Sequence, residues 1–202
     1  MEEAIIIGWP DNMDDIDAEE IIALDTDELK IKGIRHESGG MFAAFEWTIP
    51  TTFIVMVSGL FFKSFMEEAG KDAYQMLKSR IKQYVLKRRE IKTRLVAAEQ
   101  STEKLSRRYD QSLSISLRAR LHSQLLINVM VSEKVDGQDA DDMLEGLFEV
   151  LNLLYQQCQE SAPERTINRN IRPNEMYMVA NPETKLWEVL TPKEMSERYR
   201  NH

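Results

Sequence analysis

Ser112-Leu-Ser-Ile-Ser-Leu-Arg-Ala-Arg-Leu121 alternates apolar and polar residues without a break. The alternation places Leu113, Ile115, Leu117, Ala119 and Leu121 on one face of a half-buried strand. After His122-Ser-Gln, the run Leu125-Leu-Ile-Asn-Val-Met-Val131 supplies an antiparallel partner. The interval holds neither Gly nor Pro, so the position of the turn stays open.

Toward the C-terminus, Asp136-Gly-Gln-Asp breaks this hairpin, and Asp139 is placed to cap a helix with Asp142 in its first turn. Met143, Leu144, Leu147, Phe148, Leu151, Leu154 and Tyr155 give that helix a wide apolar face, closed near Ser161-Ala-Pro. The Arg- and Asn-rich stretch to Pro173 reads as a loop. Glu175-Met-Tyr-Met-Val and Lys185-Leu-Trp-Glu-Val-Leu flank the turn-like Asn181-Pro-Glu-Thr and predict another hairpin. Thr191-Pro-Lys-Glu then starts a short terminal helix.

Toward the N-terminus, the isoleucine-rich run Ala4 to Trp9 suits a buried strand, and Asp17 with Glu20 predicts a short helix from about Ala18 to Leu24. Leu29 to Arg35 alternates, Glu37-Ser-Gly-Gly supplies turn chemistry, and Met41-Phe-Ala-Ala-Phe-Glu-Trp predicts the second arm of a hairpin. Steps of three and four among Phe62, Phe65, Met66, Ala69, Ala73, Met76, Leu77, Ile81, Tyr84 and Val85 predict one long helix from about Thr52 to Glu90, bent at Gly59 or Gly70. Residues 91–110 are polar and read as a connector or helix continuation. The assembled order is strand, short helix, hairpin, long helix, hairpin, helix, hairpin, short helix. That order predicts an α+β fold of mainly antiparallel hairpins packed with one long and one medium helix. A single domain over 1–202 is expected, with 1–50 as an N-terminal β-rich subdomain and 51–202 as the helix and hairpin body.

The 202 residues are 43% apolar and 30% charged, the composition of a chain that folds. Cys158, alone, cannot form an internal disulfide, which suggests a reducing compartment. The first nine residues lack the pattern of a secretory signal, so a cytoplasmic location is expected. A net charge of -8 argues against nucleic acid as a ligand of the whole surface. The charge is unevenly spread. Met1 to Asp25 carries nine acidic residues and no basic one, while Lys78 to Arg94 carries eight basic residues against Glu90 alone. The two segments could pair with each other, or the basic one could meet phosphate, anionic lipid or an acidic partner.

Arg35-His-x-Ser-Gly-Gly-x-Phe-Ala-x-x-Glu-Trp-x-x-Pro50, followed by Glu68-Ala-Gly-Lys-Asp-Ala-Tyr-x-x-Leu-Lys78, resembles a segment of uncharacterised bacterial proteins of comparable size. The resemblance spans residues 35–78. It implies a bacterial source and a structural role for the Ser-Gly-Gly turn, and brings no activity, cofactor or catalytic residue with it.

Motifs for chemistry are sparse. Asp11 with Glu28 and Lys30 mimics the acid, acid-x-lysine set of Mg²⁺-dependent nucleases, in which carboxylates hold the ion and lysine stabilises phosphate charge. Surface salt bridges explain the same residues. No acidic run fits a calcium loop, His36, His122 and His202 lack zinc-ligand spacing, and no Gly-rich phosphate loop or nucleophile elbow occurs. No cofactor, metal or small-molecule ligand is therefore expected.

Ile49 to Phe62 is apolar and uncharged, and at fourteen residues too short to span a bilayer by itself. It reads as core, as an interface, or as a shallow membrane insertion. The leading functional expectation is a non-enzymatic interaction protein that self-associates or binds a protein partner through residues 52–66. Phe53, Ile54, Val57, Phe61 and Phe62 are its candidate contacts, with Lys87, Arg88 and Arg89 as a basic adjunct. An anionic membrane surface is the alternative partner, and the nuclease reading is the third.

Overall fold

The computed structural model describes residues 3–27, 29–36, 53–66, 71–89, 115–122, 125–131, 137–161, 174–181 and 184–200. Seven strands form one sheet: β1 (Ile5–Pro10), β2 (Ile31–His36), β3 (Phe53–Ser58), β4 (Ile115–His122), β5 (Leu125–Met130), β6 (Asn174–Ala180) and β7 (Trp187–Leu190). Their order across the sheet is β2-β1-β3-β4-β5-β6-β7. The described helices are α1 (Ile16–Ile22), α2 (Gly59–Met66), α3 (Lys71–Arg89), α4 (Gly137–Ser161) and α5 (Pro192–Arg200). The fold is α+β.

The ladders alternate in sense. β1–β2, β3–β4 and β5–β6 are parallel, whereas β1–β3, β4–β5 and β6–β7 are antiparallel. Each parallel pair has helix between its strands, because the chain must return to the same end of the sheet before the next strand begins. The expected hairpins at β4–β5 and β6–β7 are present. The mainly antiparallel pairing is corrected to a mixed sheet. β2 pairs in parallel with β1, and residues 41–47, its expected hairpin partner, lie outside the described residues. β1 joins β2 to β3, so strands from both sides of residue 50 share one sheet.

The largest correction concerns the helix expected from Thr52. Phe53-Ile-Val-Met-Val-Ser58 is a strand between β1 and β4, and helix begins only at Gly59. Phe53, Val55 and Val57 enter the core, while Ile54 and Met56 are half-buried on the opposite face, so both parities are apolar and no alternation shows. β-Branched residues suit a pleated surface flanked on both edges. α1 also begins earlier than its capping pattern suggested: Asp15, not Asp17, is the N-cap, accepting from Ala18 N–H at 3.1 Å. Asp139 lies within the first turn of α4.

The odd-numbered positions of β1, β3, β4 and β5 face one layer of helices. Ile5, Ile7, Phe53, Val55, Ile115, Leu117, Ile127 and Val129 pack in one core with Ile21 of α1, Phe61 and Phe62 of α2, Leu77, Ile81 and Tyr84 of α3, and Leu147, Phe148 and Leu151 of α4. Phe61 meets Tyr74 and Phe148 at ring distances of 4.8 and 6.1 Å. Gly33 is required where β2 passes under α1: a Cβ there would stand 2.6 Å from Ile22 Cδ1 and 2.9 Å from the Trp9 ring. On the other face of the sheet, Met130, Tyr177 and Val179 form a second, smaller cluster closed by Met195 of α5, with Leu190 beside them.

Candidate functional site

The apolar residues singled out from 52–66 are mostly inside the protomer. Phe53, Val57, Phe61 and Phe62 are buried on the helical face of the sheet, and only Ile54 points to the other face, half-buried. No described helix is long and apolar enough to cross a membrane.

The basic end of α3 is also occupied. The first turn of α1 lies against the last turns of α3, and the acidic and basic segments neutralise each other there. Asp15 is buried and accepts hydrogen bonds from Tyr84 Oη at 2.8 Å and Arg88 Nε at 3.3 Å, with Arg88 Nη2 on its second oxygen. Arg88 also donates to Asp17 at 2.8 Å, and its guanidinium lies over the rings of Phe53 and Tyr84. Lys87 donates to Asp17 at 2.7 Å, and Arg80 reaches Glu20 at 3.2 Å. Hydrogen bonding from Lys87, with the charges of Lys87 and Arg88, holds the Asp17 carboxyl below the usual carboxylate range. Burial, and then the bond to Asp15, pushes the Tyr84 hydroxyl far above the ordinary tyrosine range. Arg88 is 7% exposed and Arg89 5% exposed, so neither offers its charge freely to a membrane or partner. A second polar seam joins α3 to α4, where Glu145 accepts from Lys78 and from Lys82, and Lys82 also donates to Asp141. These networks are what a folded chain needs to bury charged groups: each polar atom of Asp15 is satisfied.

The nuclease set does not assemble among the described residues. Lys30 precedes β2 and pairs with Asp25 and Asp27 at 3.1 and 3.4 Å, Asp11 is exposed in the turn after β1, and Glu28 lies outside the described residues. No group of three or more His, Cys, Asp or Glu among the described residues could hold a metal ion. Burial raises the Cys158 thiol, which disfavours the thiolate form. A pocket of about 20 Å³ between α3, α4 and the β6–β7 hairpin is lined by Leu86, Arg89, Met143, Leu144 and Trp187, enough space for one water. A groove of about 230 Å³ between α1 and α3 is spanned by the Asp17–Lys87 and Glu20–Arg80 pairs already described.

The remaining surface is the face of the sheet turned away from α1 to α4. α5 covers its β6–β7 end. Across β2, β1 and β3 this face carries Ile34, 42% exposed, and half-buried Ile6, Ile54 and Met56; no described helix packs there, yet Ser58, Ser116 and Leu126 on the same face are buried. The registers then place a polar row beside this apolar patch: Met56 stands next to Arg118, Arg118 opposite Asn128, and Asn128 beside Tyr177. Arg120 follows two residues along β4 on the same face, next to Ser58. Arg118 donates from Nε to Ser116 Oγ at 3.2 Å, and among the described residues neither Arg118 nor Arg120 has a carboxylate partner. Asn128 is 5% exposed, and neither of its amide atoms has a hydrogen-bond partner.

The alternation of residues 112–121 marks the apolar side of this hairpin and, less visibly, the other side. Its signal was present: two arginines two residues apart in a strand share a face. No family model matches the chain, and neither a curated protein nor a solved structure matches it.

Proposed function

We propose that this chain is a non-enzymatic interaction protein that binds a protein partner through the face of its sheet that no described helix covers, at Ile34 of β2 and its neighbours on β1 and β3. The observation that carries the reading is the one-sided distribution of helices. Among the described residues, α1 to α4 cover one face, whereas the other carries Ile34, 42% exposed, and half-buried Ile6, Ile54 and Met56, with α5 as the one described helix, at its far end. An apolar surface left on a folded chain gains by being covered, at about 25 cal/mol per Å² removed from water. The centre of the interaction therefore moves from the whole of 52–66 to Ile54 and its neighbours on the adjacent strands.

A photo-crosslinking residue placed at Ile54 in cells tests this, with Met76 on α3, itself exposed, as the control position. The reading expects one defined protein adduct from position 54, identified by mass spectrometry, none from position 76, and loss of the adduct when Ile34→Asp is added. No adduct from position 54, or the same adducts from both positions, would overturn it. An adduct of twice the chain mass would identify a second copy as the partner.

A further inference from the structure

β2 ends the sheet, and its residues meet solvent where the centre of the neighbouring face is buried. Lys32, Gly33, Ile34 and Arg35 are each exposed, Ile34 by 42%. Ile22 and the Trp9 ring close the helix side of Gly33, so solvent reaches its backbone from the remaining sides. The ladder to β1 fixes which backbone groups lie on the outer edge. Asp11 N–H donates to His36 O and Ala4 N–H to Lys30 O, each at 2.8 Å, so the even-numbered residues of this segment turn toward β1. The N–H and C=O of one strand residue point the same way and successive residues alternate, so Ile31, Gly33 and Arg35 turn outward. Ile31 N–H is taken by Asp25 Oδ1 at 2.6 Å. Among the described residues, no strand pairs with the outward groups of Gly33 and Arg35.

We propose that a second copy of this chain pairs with that edge, the two β2 strands running antiparallel about a two-fold axis at Ile34 and joining two sheets into one. In this register Gly33 faces Arg35 of the second copy, and the reverse, each pair exchanging both of its hydrogen bonds. The bond from Ile31 to Asp25 is left in place. Ile34, whose own backbone groups turn toward β1, meets Ile34 of the second copy in a non-hydrogen-bonded pair. There Cβ atoms approach to about 4.5–5.5 Å, and the two exposed isoleucines cover each other. A two-fold axis at Gly33 would instead set Arg35 opposite Ile31, whose N–H is already used, and Ile34 against Lys32. Lysine and arginine on an edge strand commonly block such pairing. Here Lys32 is paired with Glu3 and Arg35 with Glu19, each at 3.4 Å. The register at Ile34 places Lys32 opposite His36 and Arg35 opposite Gly33, so neither basic residue faces its own copy. The contact is self-complementary, as a two-fold interface requires. It concerns the edge of β2 and not the face of the sheet, so a missing crosslink from position 54 leaves it standing.

Sedimentation equilibrium of the full chain from about 2 to about 200 µM tests the proposal, because one strand pair covers less than a standard interface and associates weakly. The average mass is expected to rise across this range from that of one chain toward that of two. Ile34→Lys puts a charge at the axis, and Arg35→Pro removes an outward N–H without removing a bond to β1. Each should weaken association at least about tenfold, with circular dichroism confirming the fold. Ile16→Lys, at an exposed position of α1, should leave association unchanged. Amide hydrogen exchange reads the register. The Gly33 and Arg35 amides should exchange fast in dilute solution and at least about tenfold more slowly in concentrated solution, whereas those of Lys32 and Ile34, bonded to β1, are protected in both. A mass of one chain throughout the range would overturn the proposal, as would association that neither variant at β2 weakens. Gly33 and Arg35 amides already protected in the dilute chain would overturn it too, since the edge would then be paired within the protomer.

Discussion

Two polar clusters sit on opposite sides of this sheet and differ in how completely they are satisfied. Around Asp15, at the junction of α1 and α3, a buried carboxylate is met by Ala18 N–H, Tyr84 Oη and Arg88, and Arg88 is in turn shared with Asp17. On the other side, Arg118 reaches Ser116 alone and the buried amide of Asn128 reaches nothing. The first cluster closes on itself, so its charges hold two helices together and leave nothing over for a ligand. Among the described residues the second finds no such closure, and Arg118, Arg120 and Asn128 meet no acid there. Polar residues built for structure are closed by partners within the chain, and those left open are where recognition is to be sought.

The largest test of this contrast is Asp15→Ala. It leaves Arg88 and the Tyr84 hydroxyl buried beside an empty position, and removing one partner of a buried ion pair costs about 3–5 kcal/mol. Urea unfolding followed by circular dichroism should show that loss, whereas Arg120→Ala, exposed and without an acid, should change stability by no more than about 0.5 kcal/mol. A cost for Asp15→Ala below about 1 kcal/mol would mean that the Asp15 cluster does not hold α1 against α3. The distinction between the two clusters would then fail.

The same contrast explains what was legible in the sequence. The strand β4 and the helix α4 were readable because one has an apolar and a polar face and the other a clear helical period, β5 because it follows β4 after a short interval, and the terminal hairpin was marked by Asn181-Pro. β3 was not. Its Ile54 and Met56 are apolar on the open face while Phe53, Val55 and Val57 fill the core, so periodicity vanished and the run merged with the helix that follows it. The same pair of apolar residues that hid the strand forms part of the proposed docking surface. The parallel ladders were equally hidden, because pairing between β3 and β4 joins residues about sixty positions apart and leaves no local signal. At the α1–α3 junction the sequence showed two oppositely charged segments and could not decide between mutual pairing and a free basic surface. Which of these occurs depends on the close approach of α1 to α3, a tertiary fact.

Asn128→Leu gives a smaller effect of opposite sign. An amide buried without partners loses its hydration and gains nothing in return, and each such group costs about 1–3 kcal/mol. Leucine keeps the heavy-atom branching of the amide with bulkier methyl groups, which add apolar contact with the Tyr177 and Met130 side of the sheet. The isolated chain should therefore gain about 1 kcal/mol, read as a higher denaturant midpoint at unchanged m-value. Destabilisation by a similar amount would show that the amide is satisfied in solution and that the two clusters are alike.

The smallest effect separates the clusters by pH. Asp17 is held below the ordinary carboxylate range by Lys87 and Arg88, so its folded form binds a proton less readily than its unfolded form. For a carboxyl shifted in that direction, the stabilisation is fully present above the unfolded value. It is lost as pH falls through the ordinary carboxylate range toward the depressed one. Its side chain is one-third exposed and Lys87 more so, which keeps the contribution within the range of about 0–1 kcal/mol for partly solvated pairs. Asp17→Asn should therefore lower stability slightly at pH 7 and flatten its decline between about pH 5 and pH 3 in acid titrations followed by circular dichroism. Arg118→Gln should leave that slope unchanged, since no carboxylate among the described residues depends on it. If instead Arg118→Gln flattened the acid slope as Asp17→Asn does, Arg118 would have a carboxylate within the chain and would not be available to one from outside.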